Sequence, residues 1–209
     1  MDSRDSAEAV LNALRARRSM ARVTADRPPR ALVQQILEAA VWAPNHRKTE
    51  PWRFTVMAGR AREQLGAVMA ASLRTRLSAT EGDQPGAESV TALLDKERSK
   101  PLRAPVVIAV AAVPSDRPKV VELEEVAAVA AAVQNMLLAA EALGLGAMWR
   151  TGQPAYDPAV KRFLGLPDYA YLLAFVYLGY PDLPDSRAYA REAGQYTTWL
   201  GWEAESARA

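Results

Sequence analysis

The sequence predicts an α+β fold in a single domain of 209 residues. Segments with apolar residues at helical spacing alternate with short apolar runs that are typical of strands. Half of the residues are hydrophobic and no long linker interrupts the chain, which suits one domain with a sizeable core. One run, residues 105–113, contains no polar residue at all. It is therefore predicted to be a strand buried on both faces, in the middle of a sheet.

The first half of the chain is predicted to hold four helices and one strand. Ser6 can cap a helix whose Val10, Leu11 and Leu14 share one face and whose C-terminus carries the basic residues between 15 and 18. Residues 78–87, SATEGDQPGA, have the composition of a mobile loop, so we expect residues 78–100 to form a mobile lid. The other predicted elements are a helix from about Arg30 to Val41, a strand over 53–58 closed by Gly59, and helices over 61–77 and 88–99.

The second half is organised by a long helix over about 123–143 that is apolar almost all round. Such a helix is enclosed by protein, either in the core or at a subunit interface. Gly144 and Gly146 end it. After them we predict a strand over 147–150, a short helix over 157–164 capped by Asp157 with Pro158 at its first position, and a strand over 169–180 stopped by Pro181. The tail over 182–209 is mainly polar, and its large apolar residues include Tyr189, Tyr196, Trp199, Leu200 and Trp202.

Composition excludes several classes of site. The formal charge is +2, from 26 basic and 24 acidic residues, which gives little reason to expect a nucleic-acid partner. Cysteine is absent and His46 is the only histidine, so we expect no thiol nucleophile, no multi-histidine metal site and no metal at all. The apolar stretch 126–140 is too short and too interrupted for a membrane span, and the N-terminus does not resemble a signal peptide. We expect a soluble, cytoplasmic protein without a membrane partner.

The densest stretch of functional residues is AAVWAPNHRKTEPWRF, residues 39–54. Pro44 and Pro51 cannot lie inside a helix, so a helix must end before the first of them and a strand must begin after the second. The polar loop between them, held by rigid elements on both sides, has the form of a binding site. The alternative is a surface loop with a few solvated charges.

Three motifs, in this order and spacing, point to one family. They are RRSxxR at 17–22, APNHxxxEPWRF at 43–54 and GLGxMWRTG at 144–152. Together they resemble the FMN-dependent nitroreductase family, in its branch of small NAD(P)H nitroreductases, from about Arg17 to about Pro181. The resemblance implies a nitroreductase-like fold, with a mainly antiparallel sheet wrapped by helices. It also implies an interlocked homodimer, with FMN sites at the subunit interface. Tyr196, Trp199 and Trp202 are too apolar to be left in water near the end of the chain, so we expect the tail, 182–209, to embrace the partner subunit.

The family motifs suggest which residues hold the FMN phosphate. Arginine offers a planar fork of donors that matches phosphate oxygens, and a serine hydroxyl adds a further bond. Arg17, Arg18 and Ser19 supply both groups. The alternative is a basic helix end that interacts with its own dipole. Arg187 or Arg191 of the tail could add a further phosphate contact, and the sequence does not choose between them.

Three further motif residues are assigned to the flavin by the same resemblance. Trp149, Arg150 and Thr151 correspond to a segment that contacts the ribityl-phosphate side or the ring, although a tryptophan after a glycine turn is more often part of the core. The glycines before them do not form a dinucleotide fingerprint, because the helix precedes them instead of following.

Two residues of the polar loop complete the predicted cofactor site. In the branch of the family that this sequence resembles, the histidine that corresponds to His46 contacts the flavin bound mainly by the other subunit. Trp42 stands where this branch often has arginine, so an aromatic contact replaces a cationic one there, and we expect altered substrate choice as a result.

The implied function needs no catalytic side chain, because the flavin carries the chemistry. The resemblance implies that NAD(P)H binds transiently and reduces the FMN, after which a small aromatic or quinone-like acceptor, such as a nitroaromatic, takes the electrons. Two alternatives remain open at this stage. One is a related flavin enzyme with a different reaction, such as dehalogenation or flavin breakdown, and the other is a non-catalytic flavin-binding or sensor protein.

Overall fold

The structure is a computed structural model in which residues 3–79, 86–182 and 192–202 are described. It contains six α-helices and four strands within these ranges, joined by short 3-10 turns. The strands are β1 (Trp52–Ala58), β2 (Val106–Ala112), β3 (Gly146–Arg150) and β4 (Tyr171–Gly179). The helices are α1 (Ser3–Ala16), α2 (Arg30–Ala40), α3 (Arg60–Ala79), α4 (Ala87–Ser99), α5 (Glu122–Ala142) and α6 (Pro158–Phe163).

The four strands form one antiparallel sheet in the order β1-β2-β4-β3. β2 is central and all seven of its residues are buried, as its apolar sequence predicts. Its side chains alternate between two cores. Ile108 and its neighbours on that face pack against α2 and α5, and Val107 and its neighbours pack against α3 and α6. The α+β prediction and the expected antiparallel sheet wrapped by helices are confirmed.

Helix α5 lies across one face of the sheet and closes the first core. Val129, Val133 and Met136 are completely buried there. The side-chain amide of Asn135 donates to the carbonyl of Ala39 at 3.1 Å, which ties α5 to α2. By length and composition alone α5 could cross a membrane. Its packing against the sheet identifies it as a core helix with one less enclosed side.

Two helix starts can be compared with their predicted caps. α6 is capped as predicted, because Oδ1 of Asp157 accepts a hydrogen bond from the amide of Ala159 at 2.8 Å. α1 already begins at Ser3, so the prediction that Ser6 caps it is wrong. Val10, Leu11 and Leu14 of α1 are exposed in the single chain.

The segment expected to act as a lid is only partly described. Residues 80–85 lie outside the described residues, whereas α4 packs against α3. The two helices pack closely at Gly66, where an added Cβ would overlap the carbonyl oxygen of Arg98. A mobile lid over 78–100 stays a prediction, with α4 as its well-packed end.

Of the tail, residue 182 and residues 192–202 are described. Residues 183–191, which include Arg187 and Arg191, and residues 203–209 lie outside the described ranges. Within residues 192–202 four large apolar side chains are exposed by 66–88%. They are Tyr196, Trp199, Leu200 and Trp202. The embrace of a partner subunit stays a prediction, and this apolar surface is what such a partner would cover.

Gly66→Ala should separate α3 from α4. The added Cβ meets a backbone oxygen, which cannot rotate away, so the strain should outweigh the helix propensity of alanine and lower the free energy of unfolding by about 1–3 kcal/mol. Urea denaturation measures the change. Gly194→Ala is the control, because a Cβ there meets no atom within 4 Å, and equal stability of the two variants would contradict the close approach.

Candidate functional site

A cavity of about 340 Å³ opens where β3 ends. It lies on the sheet face that carries α3. Three of the predicted cofactor residues line it, together with residues from α3, β4 and the turn after α4. Its volume falls within the range of small-molecule sites. The lining residues are Met69, Lys100, Arg103, Met148, Trp149, Arg150, Thr151, Pro154, Phe175 and Tyr177.

The alternation of β3 sets the directions of its last side chains. Trp149 packs at the α2 and α5 core, and its indole N–H donates to the carbonyl of Leu173 at 3.0 Å. Arg150 points to the opposite face, where its guanidinium lies 5.3 Å from the ring centroid of Tyr177. Gly152 then turns the chain with a φ of 108°, a conformation that favours glycine. Thr151, between Arg150 and this turn, is exposed at the rim.

The cavity is positively charged. Lys100, Arg103 and Arg150 line it, and none of the described residues that line it is a carboxylate. Nε of Arg150 is buried and has no hydrogen-bond partner within the described part of the chain. Burial raises the pKa of Tyr177, while the nearby charges of Arg150 and Arg103 act to lower it and that of Glu97 to raise it. A ligand with negative or hydrogen-bond-accepting groups and a flat apolar body suits these walls.

The predicted phosphate residues follow the same edge strand. Met20, directly after Ser19, donates its amide to the carbonyl of Ala147 at 3.0 Å, which places the segment beside the start of β3. Nη1 of Arg18 donates to the carbonyls of Arg15 and Arg17, so Arg18 also caps the end of α1.

Arg17 and Ser19 are better placed than Arg18 to meet a ligand. No described residue accepts a hydrogen bond from the side chain of either. Arg17 is half-buried and Ser19 is exposed. Arg18 therefore caps the helix, and ligand binding by Arg17 and Ser19 stays a prediction.

The polar loop is held in a strained shape by one buried carboxylate. Glu125, 1% exposed in the first turn of α5, accepts hydrogen bonds from the hydroxyl of Thr49 at 2.5 Å and from the amide of Asn45 at 3.4 Å. The loop residues Arg47, Lys48 and Glu50 all have positive φ, which costs energy for residues other than glycine. The network around Glu125 holds this conformation.

His46 and Trp42 lie at the outside of this loop. Nδ1 of His46 is 2.7 Å from a carboxylate oxygen of Glu124, and both side chains are about half exposed. Trp42, just after α2, is 85% exposed. Nothing in the described part of the chain covers this large indole.

The predicted residues thus form two groups that one chain does not bring together. His46 contacts the first turn of α5, whereas Ser19 lies near the start of β3, beyond the other end of α5. A helix of 21 residues is about 30 Å long. The two groups also flank opposite edges of the sheet, with β2 and β4 between them. One mononucleotide cannot span that distance.

Several residues of the site were not identified from the sequence. Lys100 and Arg103 lie between a predicted helix and the central strand. Two basic residues close to a proline, just before a buried strand, were a signal for a site. Tyr177 and Glu125 had no comparable signal, because both lie inside regular elements and are brought to the site by the sheet register and by the loop.

A second, larger cavity of about 590 Å³ lies between the start of α2 and β1. Its floor is apolar and includes Val33 and Val56, with Arg27 and Arg30 at the same site. None of the predicted cofactor residues lines it. Size alone therefore does not select the functional site, and the convergence of motif residues favours the cavity beside β3.

Comparisons with known proteins agree with the motifs. The sequence model of the nitroreductase family matches residues 14–180. The protein named "Putative NAD(P)H nitroreductase YdjA" of Escherichia coli strain K12 is 34% identical over 182 residues, which cover 87% of this chain and 91% of that protein.

Two solved structures are similar to the chain over most of its length. A nitroreductase-like family protein from Bacillus cereus has a TM-score of 0.75 and 26% identity, covering 92% of this chain and 96% of its own. A nitroreductase of Desulfovibrio desulfuricans, solved in complex with FMN and named as putative, has a TM-score of 0.66 and 28% identity, covering 93% of this chain and 98% of its own.

Thr49→Val should loosen the polar loop. The substitution keeps the shape of the side chain but removes the hydroxyl that donates to the buried Glu125, and a hydrogen bond to a charged group typically contributes about 1.5–3 kcal/mol. We expect a loss of that size in the free energy of unfolding, measured by urea denaturation, together with faster proteolysis of the loop. Thr75→Val, which removes an exposed hydroxyl bonded to a helix carbonyl, should change stability by less than about 0.5 kcal/mol.

Proposed function

This chain belongs to the nitroreductase family, and on that premise we propose that it passes electrons from NAD(P)H, through bound FMN, to nitroaromatics, quinones or similar electron-poor acceptors. The observation that carries the proposal is the cavity beside β3, where Trp149, Arg150 and Thr151 meet Lys100 and Arg103. The Desulfovibrio relative with bound FMN supports the same cofactor here. We propose a cytoplasmic location.

The residues of the cavity fit FMN. Phe175, Met69 and Met148 offer apolar and polarisable walls for a flat ring system. Arg150, whose buried Nε has no partner among the described residues, and Arg103 offer donors to the carbonyl groups of such a ring. Arg17 and Ser19, beside the same strand, offer donors to a phosphate. The donor set therefore matches both ends of the cofactor.

The protein orients the cofactor and the acceptor and supplies the electrostatic environment of the reaction. Bound FMN would supply the redox chemistry, which is uptake of a hydride from NAD(P)H and then delivery of the electrons to the acceptor, in two stages at one cavity. Arg103 and Arg150 hold positive charge where electrons arrive, which favours electron uptake. The apolar walls exclude water and leave room for a flat acceptor of varied structure. No side chain has to act as a nucleophile.

We propose that the active form is a homodimer with two sites between its subunits. Three observations support it. The apolar face of α1, with Val10, is exposed, the tail exposes Trp199 and Trp202, and α5 keeps one less enclosed side. A surface of this kind marks a protein interface. In this arrangement the tail, 182–209, covers the partner, and 78–100 acts as a lid.

The separation of the two groups of predicted residues also favours a shared site. His46 lies too far from the segment of Arg17 and Ser19 in one chain to meet the same FMN, but a second copy can bring its own loop to the cavity of the first. Glu125 fixes the loop in a shape that presents His46 outward. We propose that His46 donates a hydrogen bond to the partner's FMN, with Trp42 as an aromatic wall that affects the choice of acceptor.

Purified protein tests the function directly. It should be yellow with bound FMN, and under anaerobic conditions NADH or NADPH should bleach the flavin absorbance, which a nitroaromatic or a quinone should then restore. Protein that binds FMN but is not bleached by either nucleotide would be a flavin-binding or sensor protein and would contradict the enzymatic proposal.

Arg17→Ala should weaken FMN binding about tenfold to a hundredfold, because a charge-assisted contact typically contributes about 1.5–3 kcal/mol. Fluorescence titration of the flavin-free protein measures the change. Arg74→Ala, which removes an arginine from the exposed side of α3, is the control. Unchanged affinity in the Arg17 variant would contradict the phosphate assignment.

A heterodimer tests the shared site. One subunit carries His46→Ala and the other carries Arg17→Ala with Arg18→Ala, and two different affinity tags isolate the mixed species. If each FMN contacts the arginines of one subunit and the histidine of the other, the heterodimer contains one intact and one doubly damaged site. Titration should then show one FMN bound with wild-type affinity. Two equally weakened sites would place His46 and the arginines of one chain on the same FMN.

A further inference from the structure

A buried carboxylate lies directly behind the charged cavity. Glu97 of α4 is 7% exposed, and one of its oxygens accepts a hydrogen bond from Nζ of Lys100 at 2.5 Å. Its other oxygen, Oε1, has no partner among the described residues. Since Lys100 lines the cavity, its ammonium group links the Glu97 carboxylate to the cavity.

Stability gives a weak reason for such a pair. Removing two charges from water is costly, and buried ion pairs are often no more stable than apolar residues of the same volume. The same helix makes a comparable pair in solvent, because Arg98 lies 2.6 Å from Asp95 with the same spacing and both side chains at least half exposed. The buried position of Glu97 therefore calls for another role.

The charge of Glu97 acts on groups inside the cavity. Tyr177 lines the cavity, and its pKa is raised first by burial, lowered by Arg150 and Arg103, and raised again by Glu97. Partly buried surroundings screen a charge less than water does, so a carboxylate behind the wall can act on groups inside the cavity.

We propose that Glu97 is a positioning residue that holds the Lys100 ammonium at the cavity wall and offsets its charge, so that Arg103 and Arg150 set the net positive charge felt by the cofactor. The inference rests on the proposed function, because it takes that cofactor to be FMN. Without Glu97, three positive charges would stabilise reduced FMN strongly. Reduced FMN would then transfer its electrons to the acceptor less readily. Glu97 keeps the reduction potential lower and the transfer to the acceptor favourable.

Glu97→Gln tests the proposal, with Asp95→Asn as the matched control. Each removes one carboxylate from an ion pair of the same spacing on α4, one behind the cavity and one in solvent. The first readout needs no flavin. Ultraviolet titration of the full chain, taken as a difference from the same variant carrying Tyr177→Phe, isolates the Tyr177 phenol. A nearby carboxylate disfavours the phenolate, so the pKa of Tyr177 should fall in Glu97→Gln and stay unchanged in Asp95→Asn.

The second readout is the reduction potential of bound FMN. Glu97→Gln should increase the preference for reduced over oxidised FMN about tenfold, which raises a two-electron potential by about 30 mV. The double variant Glu97→Gln, Lys100→Gln removes both charges and should return the potential close to that of the unmodified chain. Asp95→Asn should not change it.

The outcomes separate the inference from the proposed function. An unchanged Tyr177 pKa in Glu97→Gln, or an equal change in Asp95→Asn, would overturn the inference whether or not FMN binds. A shifted Tyr177 with an unchanged potential would also overturn it. A chain that binds no FMN would contradict the proposed function, while the Tyr177 titration would still decide whether Glu97 acts on the cavity. Should Glu97→Gln fail to fold, the double variant, which leaves no unpaired charge, serves for the titration.

Discussion

The burial of β2 on both faces is the constraint on which the rest of the structure depends. A strand without a polar side chain must be covered by protein above and below, which requires helices on both faces of the sheet. Charged side chains are costly to bury between these layers. The cations of the candidate site therefore lie at the end of β3, and the polar loop lies just before the start of β1. The positions of the functional groups follow from the need to keep the centre of the molecule apolar.

Much of this arrangement could be read from the sequence. The elements and their order followed from apolar spacing and from glycine and proline, since these signals are local. Asp157 was identified as a cap because capping involves neighbouring residues. The exposure of α1 could not be foreseen, because its apolar face looks the same whether the core of its own chain or a second copy covers it.

The site was predictable only where it lies in contiguous motifs. Trp149, Arg150 and Thr151 stand together in the sequence and line one cavity. Lys100 and Tyr177 reach that cavity from separate elements, and their approach depends on strand register and helix packing. The role of Glu125 was equally hidden, because nothing in an acidic first turn of a helix indicates that one carboxylate is buried beneath a distant loop. Long-range packing decides such contacts.

The distribution of tryptophan gives the molecule built-in optical reporters. Trp149 lies at the cavity, whereas Trp42 and the neighbouring pair Trp199 and Trp202 are exposed, the pair with ring centroids 5.4 Å apart. Indole emission shifts towards the blue when water is excluded, and a nearby isoalloxazine quenches it by energy transfer. The natural chain therefore carries separate fluorescent signals for the filling of its cavity and for the covering of its surface, without any added label.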